Sequence, residues 1–430
     1  MTTALRIGVA GLGTVGSGVL GLLREHGELI AQRAGRPIVV SAVSARDRQK
    51  ERGLDLADVR WFEDATALAA DPEVDVVLEL IGGSDGIAKA VVERAIGAGK
   101  HVISANKALL AHHGAPLARD AEAAGVVLAY EAAVAGGIPI IKSIREGLAA
   151  NRIGRVYGIL NGTCNYILSS MRDTGREFDE VLAEAQELGY AEADPSFDVD
   201  GIDTAHKLAI LTGLAFGCEV NFDGVYVEGI RHISALDIRF AEELGYRIKL
   251  LGLSRATGGG VEQRVHPCMV RAAAPIASIE GVFNAVVAEG DFVGSIMAEG
   301  QGAGAGPTAS AVVADLIDIA RGNRPATFAV PAGSLTQLPS LSMDRHEGCY
   351  YLRLVVMDKP GVIADVAAAL RDEQISVEAM LQRGRAPDEA VSVVITTHET
   401  QEAQMLRALK PIAAIEATVE PPRMIRIEAL

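Results

Sequence analysis

The sequence predicts an α/β protein with a doubly wound parallel sheet first, an α+β unit next and a small βαββαβ unit last. Three observations predict it. Short apolar runs alternate with helical patterns from Leu5 to Tyr130, which is the signature of a parallel sheet with crossover helices. A glycine-rich turn joins the first apolar run to the first helix, the place where such sheets receive ligands. From Cys349 onward, strand-like runs and two amphipathic helices follow one another as βαββαβ. A chain of 430 residues exceeds what one hydrophobic core supports. We therefore expect units at 1–150 and 151–330, a linker at 331–348 and a last unit at 349–430. A helix near 308–321 is expected to pack back on the first unit.

Leu5-Arg6-Ile7-Gly8-Val9-Ala10 reads as a buried strand, and Gly11-Leu12-Gly13-Thr14-Val15-Gly16 as the turn into a helix. Between a strand and a helix, G-x-G-x-x-G points to a dinucleotide, its pyrophosphate held by backbone amides at the helix N-terminus; a tight strand–helix turn without ligand is the other reading. Gly13 belongs to that cradle. The second strand, Ile38 to Val43, ends in Ser44-Ala45-Arg46 rather than in an acid. Arg46 is therefore placed to meet a 2′-phosphate, favouring NADP(H) over NAD(H); a plain surface arginine is the other reading. Further strands follow at Val74–Ile81, His101–Asn106 and Val126–Tyr130. Lys107 stands at a strand end, where it can reach nicotinamide or substrate, or can simply start a helix. Glu131 to Pro139 leaves the sheet through a bent segment with one carboxylate, which suits either a monovalent cation held by oxygens or a hinge.

The second unit opens near Ile153. Asn161-Gly162-Thr163-Cys164-Asn165-Tyr166 turns a strand into a helix and offers free amides to an anion. Cys164 is a candidate nucleophile without an evident base, or a buried thiol. Strands near Ile248–Leu253 and Val261–Ala272 follow, then the glycine-rich turn Gly300–Thr308, either a flexible link or a second anion-facing helix start. The last unit carries no catalytic-looking cluster.

Composition excludes several classes. A net charge of −16 argues against nucleic acid and anionic membrane as partners. No apolar run approaches the ~18 residues of a membrane span. The four cysteines, Cys164, Cys218, Cys268 and Cys349, lack paired or metal-like spacing. With no signal-peptide pattern ahead of the first strand, a reducing cytoplasm is the expected location.

The most unusual stretch is Gly189 to Lys207, an acidic loop running into an apolar helix. Asp203 and Lys207 share a helix face at i,i+4. Three readings compete. A solvated loop with a surface ion pair is the plainest. A calcium loop fails, because placing Gly201 sixth puts Lys207 twelfth, where a glutamate is required. The third is a catalytic site, with a lysine held by carboxylates and able to donate a proton.

The run Ala185-Gln186-Glu187-Leu188-Gly189-Tyr190-Ala191-Glu192-Ala193-Asp194-Pro195, continuing through Asp198-Val199-Asp200-Gly201-Ile202-Asp203 to Lys207, resembles the signature of homoserine dehydrogenases at every specified position. Gly11–Gly16, Ser104–Lys107, Asn161–Tyr166 and Gly302–Thr308 extend the resemblance over residues 1–330. The last unit resembles an ACT domain through Asp358-Lys359-Pro360-Gly361 and its strand order. The resemblance implies a Rossmann-type first domain and reversible NAD(P)H-dependent reduction of L-aspartate 4-semialdehyde to L-homoserine. It gives Lys207 the role of proton donor. Glu192 and Asp203 hold homoserine, Glu192 by the amino group, with Asp198 beside them and the Gly162-Thr163 turn as a candidate for the carboxylate. Lys107 contacts cofactor and substrate. Leu12, Thr14, Val15, Gly189 and Gly304 match cofactor contacts, and Glu131, Val134, Gly136 and Ile138 a sodium site. An ACT-like unit implies an amino-acid effector, L-threonine first, and a homodimer or homotetramer. Two other classes are a thiol-dependent semialdehyde dehydrogenase using Cys164 and a non-enzymatic amino-acid sensor.

Overall fold

The computed structural model describes residues 3–382 and 389–430. Six strands form the first sheet: β1 (Leu5–Ala10), β2 (Ile38–Ser44), β3 (Arg60–Phe62), β4 (Val76–Glu79), β5 (His101–Ser104) and β6 (Leu128–Ala129). All pair in parallel, in the order β3-β2-β1-β4-β5-β6. β4 is buried along its whole length, as a strand covered on both faces must be. β3 is absent from the sequence reading because three residues, Arg-Trp-Phe, are too short to show a period.

The helix Ala305–Arg321 returns to this sheet. Val312, Val313, Leu316 and Ile319 share one core with Leu5, Ile7, Val9 and Val19. Its first turn meets the helix Thr14–Glu25 so closely that a Cβ on Gly18 would lie 2.7 Å from the Ala305 carbonyl oxygen. The two glycine-rich turns thus come side by side.

The remaining strands are β7 (Ile153–Ile159), β8 (Tyr226–Val227), β9 (Tyr246–Thr257), β10 (Gly260–Arg271), β11 (Phe283–Gly290), β12 (Gly294–Gln301), β13 (Glu347–Met357), β14 (Val377–Gln382), β15 (Ala390–Thr397), β16 (Thr400–Gln401) and β17 (Thr418–Glu428). They make one mixed sheet, β12-β11-β7-β9-β10-β17-β13-β15-β14, with β8 on β10 and β16 on β13. Alternate residues of β9 feed opposite faces: Ile248 and Leu250 join the core that holds Leu208 and Leu211, while Leu251 and Leu253 join a separate one. That is the period-2 pattern of a strand covered on both sides.

The βαββαβ order of the last unit agrees with the sequence reading, with helices Val362–Asp372 and Glu402–Ala413. Its separateness does not. β17 pairs in parallel with β10 through Cys268↔Arg426, Met269↔Ile427 and Val270↔Glu428. The stretch read as a linker lies along the middle unit instead: Thr336 bridges Cys218, Ser340 bridges Val261, and the Leu341 amide donates to the Val261 carbonyl at 2.9 Å. Charges seal the junction. Arg264 pairs with Glu428, both buried, and Arg353 Nε donates to Asp237 Oδ1 at 2.6 Å.

Candidate active site

The helix Ile202–Phe216 is buried on nearly every face, so the two charges in its first turns must be paired. They are. Lys207 Nζ donates to Asp203 Oδ2 at 2.7 Å and to the Leu160 carbonyl, at the end of β7, at 2.7 Å. Two of its three N–H groups are used there, and no further hydrogen bond takes the third among the described residues. Lys107 begins the helix that follows β5, and its Nζ lies 2.7 Å from Asp203 Oδ1. One carboxylate therefore holds two ammonium groups, one from the first unit and one from the second. The surface-pair reading of Asp203 and Lys207 is overturned by this burial.

Asn161 organises the acids. It caps the helix Gly162–Thr174, accepting from the Cys164 amide at 2.8 Å. Its amide nitrogen donates to Asp198 Oδ1 at 2.8 Å and to Asp203 Oδ2 at 2.9 Å. In the sequence Asn161 stands only at the head of the run Asn161–Tyr166; an asparagine ahead of Gly-Thr at a helix start is the N-cap signal that marks it.

The electrostatics follow from burial and pairing. Burial alone would raise the Asp203 carboxyl, but the Lys207 and Lys107 ammonium groups override it and hold the group well below the usual carboxylate range. Burial pushes the Lys207 ammonium down, Asp203 opposing and Lys107 reinforcing the shift. Burial and the nearby Asp203 charge raise Asp198. An aromatic stack flanks the cluster. Lys107 Nζ sits 5.4 Å from the Phe197 ring, Phe197 stacks on His206 at 5.6 Å, and His206 on Phe222 at 4.3 Å. Burial and His112, whose Nε2 lies 3.4 Å away, push His206 down to about 4, so it is neutral at pH 7. No local pattern announces this stack, since its members are far apart in sequence.

Thr163 Oγ1 donates to the Tyr190 carbonyl at 2.7 Å, tying the helix start to the signature loop. Gly162 opens that helix beside the Val282 carbonyl, 2.6 Å from where a Cβ would stand. Glu192 is exposed on the loop, and its carbonyl accepts from Gln186 Nε2 at 2.9 Å. Among the described residues no hydrogen bond or ion pair joins its carboxylate to the Asp203 cluster. Cys164 is fully buried, its thiol donates to the Asp198 carbonyl at 3.2 Å, and burial with the surrounding carboxylates pushes its pKa far up. That is the opposite of an activated thiolate.

The glycine-rich turn Gly11–Gly16 is tight. Gly11 adopts φ +106, and a Cβ there would stand 2.5 Å from the Leu80 carbonyl oxygen; on Gly16 it would stand 2.1 Å from that of Gly11. Gly13 faces open space, with Thr14 and Val15 opening the helix and Leu12 buried beneath. Gly304 N-caps the adjacent helix, and Gly189 ends the turn after the helix Phe178–Glu187. Arg46 is exposed just beyond β2. Arg48 and Arg52 lie over Trp61 at 5.8 and 5.9 Å, and Arg52 Nε reaches the Leu12 carbonyl at 3.3 Å; none of these three was singled out from sequence. Glu131, Val134, Gly136 and Ile138 are buried together around a bend at Ala135 (φ +56) and Gly136 (φ +52). The Glu131 carboxylate accepts from the Ile141 and Lys142 amides, each at 2.9 Å, and burial with the Asp315 charge raises it to about 7.

Comparison with known proteins gives the family and the domains. Residues 11–131 match the family described as homoserine dehydrogenase, NAD binding domain; residues 139–317 match homoserine dehydrogenase; residues 350–414 match the ACT domain. A homoserine dehydrogenase of Neisseria gonorrhoeae is 47% identical over 432 residues, covering 99% of each chain. The crystal structure of a homoserine dehydrogenase from Thiobacillus denitrificans is 46% identical with a TM-score of 0.93, covering 99% of this chain and 98% of that one. A hyperthermophilic archaeal homoserine dehydrogenase in complex with NADPH, 25% identical, superposes with a TM-score of 0.64 over 75% of this chain and all of that one. With relatives this similar along nearly its whole length, the chain belongs to the homoserine dehydrogenase family and ends in an ACT domain.

Proposed function

We propose that the chain reversibly reduces L-aspartate 4-semialdehyde to L-homoserine with NADPH or NADH, and that the Lys207–Asp203–Lys107 cluster is where the aldehyde reacts. The observation that carries this reading is a buried ammonium with a free N–H, held by a buried carboxylate at the meeting of nucleotide sheet and signature loop. When bound, the reduced nicotinamide supplies the hydride. Negative charge then grows on the aldehyde oxygen. The Lys207 ammonium stabilises that charge and gives up its proton, since burial has already disfavoured its charged form. Asp203 keeps Lys207 in place and balances the second ammonium, Lys107. Asp198 and Glu192 supply negative charge for the substrate ammonium, and the Gly162-Thr163 helix start supplies amides for its carboxylate. The assay is oxidation of NADPH, then of NADH, by aspartate semialdehyde; absence of turnover with both would overturn the reading.

The exposed Arg46 favours NADPH. Arg46→Ala is expected to raise KM for NADP far more than for NAD, and equal effects would make it a plain surface residue. Sodium is assigned to Glu131, Val134, Gly136 and Ile138. The buried Glu131 carboxylate beside this bend is what supports a cation there, next to an Asp315 that already pairs with the Lys142 ammonium at 3.2 Å. A homo-oligomer in the cytoplasm is part of the same reading, as is feedback by an amino acid. L-threonine is the first candidate, an inhibitor meeting the turn at Pro360-Gly361. Gly361, at φ +96, precedes the helix Val362–Asp372. Gly361→Asp is expected to abolish inhibition at millimolar threonine while uninhibited activity persists; indifference of the unaltered enzyme would make the ACT domain structural.

A further inference from the structure

We propose that the segment Tyr226–Arg231 is a joint through which the ACT domain sets the shape of the substrate loop, with Glu228 and Arg231 as its positioning residues. This rests on the homoserine reading above and adds a route for regulation to it. The route is continuous and each step is a direct contact. Arg426, in β17, is buried between Glu402 of the ACT domain and Glu228 of the middle unit. Its Nε donates to Glu402 Oε2 at 3.0 Å, its Nη1 to Glu228 Oε2 at 2.7 Å and its Nη2 to the Tyr226 hydroxyl at 3.2 Å. Tyr226 in turn donates to Glu228 Oε2 at 3.0 Å. One guanidinium thus grips the start of the segment from the ACT side.

The other end grips the loop. A Cβ on Gly229 would stand 2.3 Å from the Val199 carbonyl oxygen and 2.5 Å from the Asp200 Cα, so the two backbones touch, which only glycine permits. The Ile230 amide donates to that Val199 carbonyl at 2.9 Å. Arg231 Nε donates to Asp200 Oδ1 at 2.5 Å, and its Nη2 reaches Asp200 Oδ2 and Ser196 Oγ at 3.2 and 3.1 Å. Asp198 and Asp203, the acids gathered by Asn161, lie within three residues of these contacts. Val227 also packs 3.1 Å from where a Cβ on Gly201, the residue starting the Asp203 helix, would be. A shift of the ACT domain against the middle unit therefore cannot leave the loop untouched.

Arg231 and Asp200 are both half-exposed, so as an ion pair they add little to stability, and removing the pair tests positioning rather than folding. In the full-length enzyme, Arg231→Ala is expected to raise KM for L-homoserine ~5-fold or more, with KM for the coenzyme and kcat within about twofold; Arg231→Lys should recover most of the loss. The second arm needs no turnover. Glu228→Gln keeps the side chain's shape, and in the full chain it should speed amide hydrogen exchange at Ile230 and across 199–203, leaving exchange in the first sheet unchanged. An unchanged homoserine KM in Arg231→Ala, or unchanged exchange in Glu228→Gln, overturns the joint. Wild-type enzyme that fails to oxidise homoserine overturns the underlying reading instead, and the exchange arm then still decides whether the joint exists.

Discussion

Lys207→Ala is expected to lower turnover by ~10²–10⁴ while coenzyme affinity stays nearly unchanged, as loss of a general acid does. Alanine removes the ammonium that faces the developing oxyanion and leaves Asp203 with Lys107 and the Asn161 amide as its partners. Turnover close to normal would move the proton to Lys107, the only other ammonium held by Asp203 among the described residues. The pH dependence has a definite sign. Burial favours the neutral form of Lys207, so its folded pKa lies below the ordinary lysine value of 10.5. In homoserine oxidation Lys207 must accept a proton, so the rate should rise with pH and level off below that value. A rise that continues beyond it would show that another group accepts the proton.

Arg426→Ala is expected to destabilise the folded chain by ~3–5 kcal/mol, read as a lower midpoint of urea unfolding. Arg426 and Glu402 are almost wholly buried, with side-chain exposures of 3% and 2%. Losing the guanidinium strands the Glu402 carboxylate and takes one partner from Glu228, whose carboxyl is pulled against its burial to about 2 by His232 and Arg426. An uncompensated buried charge costs far more than a broken surface pair. Arg371→Ala, at an exposed pair with Asp372, is the comparison and should change little. Removing residues 349–430 would take β17 off the edge of β10 as well, so it exposes a strand edge and tests regulation less cleanly than Gly361→Asp does.

What the sequence shows and what it hides have physical causes. β1, β4 and β5 declare themselves because a strand covered on both faces reads as a short, mostly apolar run, broken here only by Arg6, Glu79, His101 and Ser104. The Asp203–Lys207 spacing is local and therefore legible; its burial is not, because it depends on β7 and on Lys107, which arrive from distant parts of the chain. Arg264, Arg353, Arg426 and Glu428 look like surface charges in sequence, yet they are buried at the ACT junction. The pairing of β10 with β17 is a contact between remote segments, and no window along the chain contains it. The edge strand β12, mostly exposed and glycine-flanked, carries no period strong enough to detect.

The central claim is that this cluster passes a proton to an aldehyde as hydride reaches its carbon. The most direct measurement follows deuterium from NADPH labelled on the transferred face into the product formed from L-aspartate 4-semialdehyde. The account predicts L-homoserine with one deuterium at carbon 4, formed rapidly by the unaltered enzyme and ~10²–10⁴ more slowly by Lys207→Ala. Unlabelled product, or labelled homoserine formed equally fast by both proteins, would contradict it.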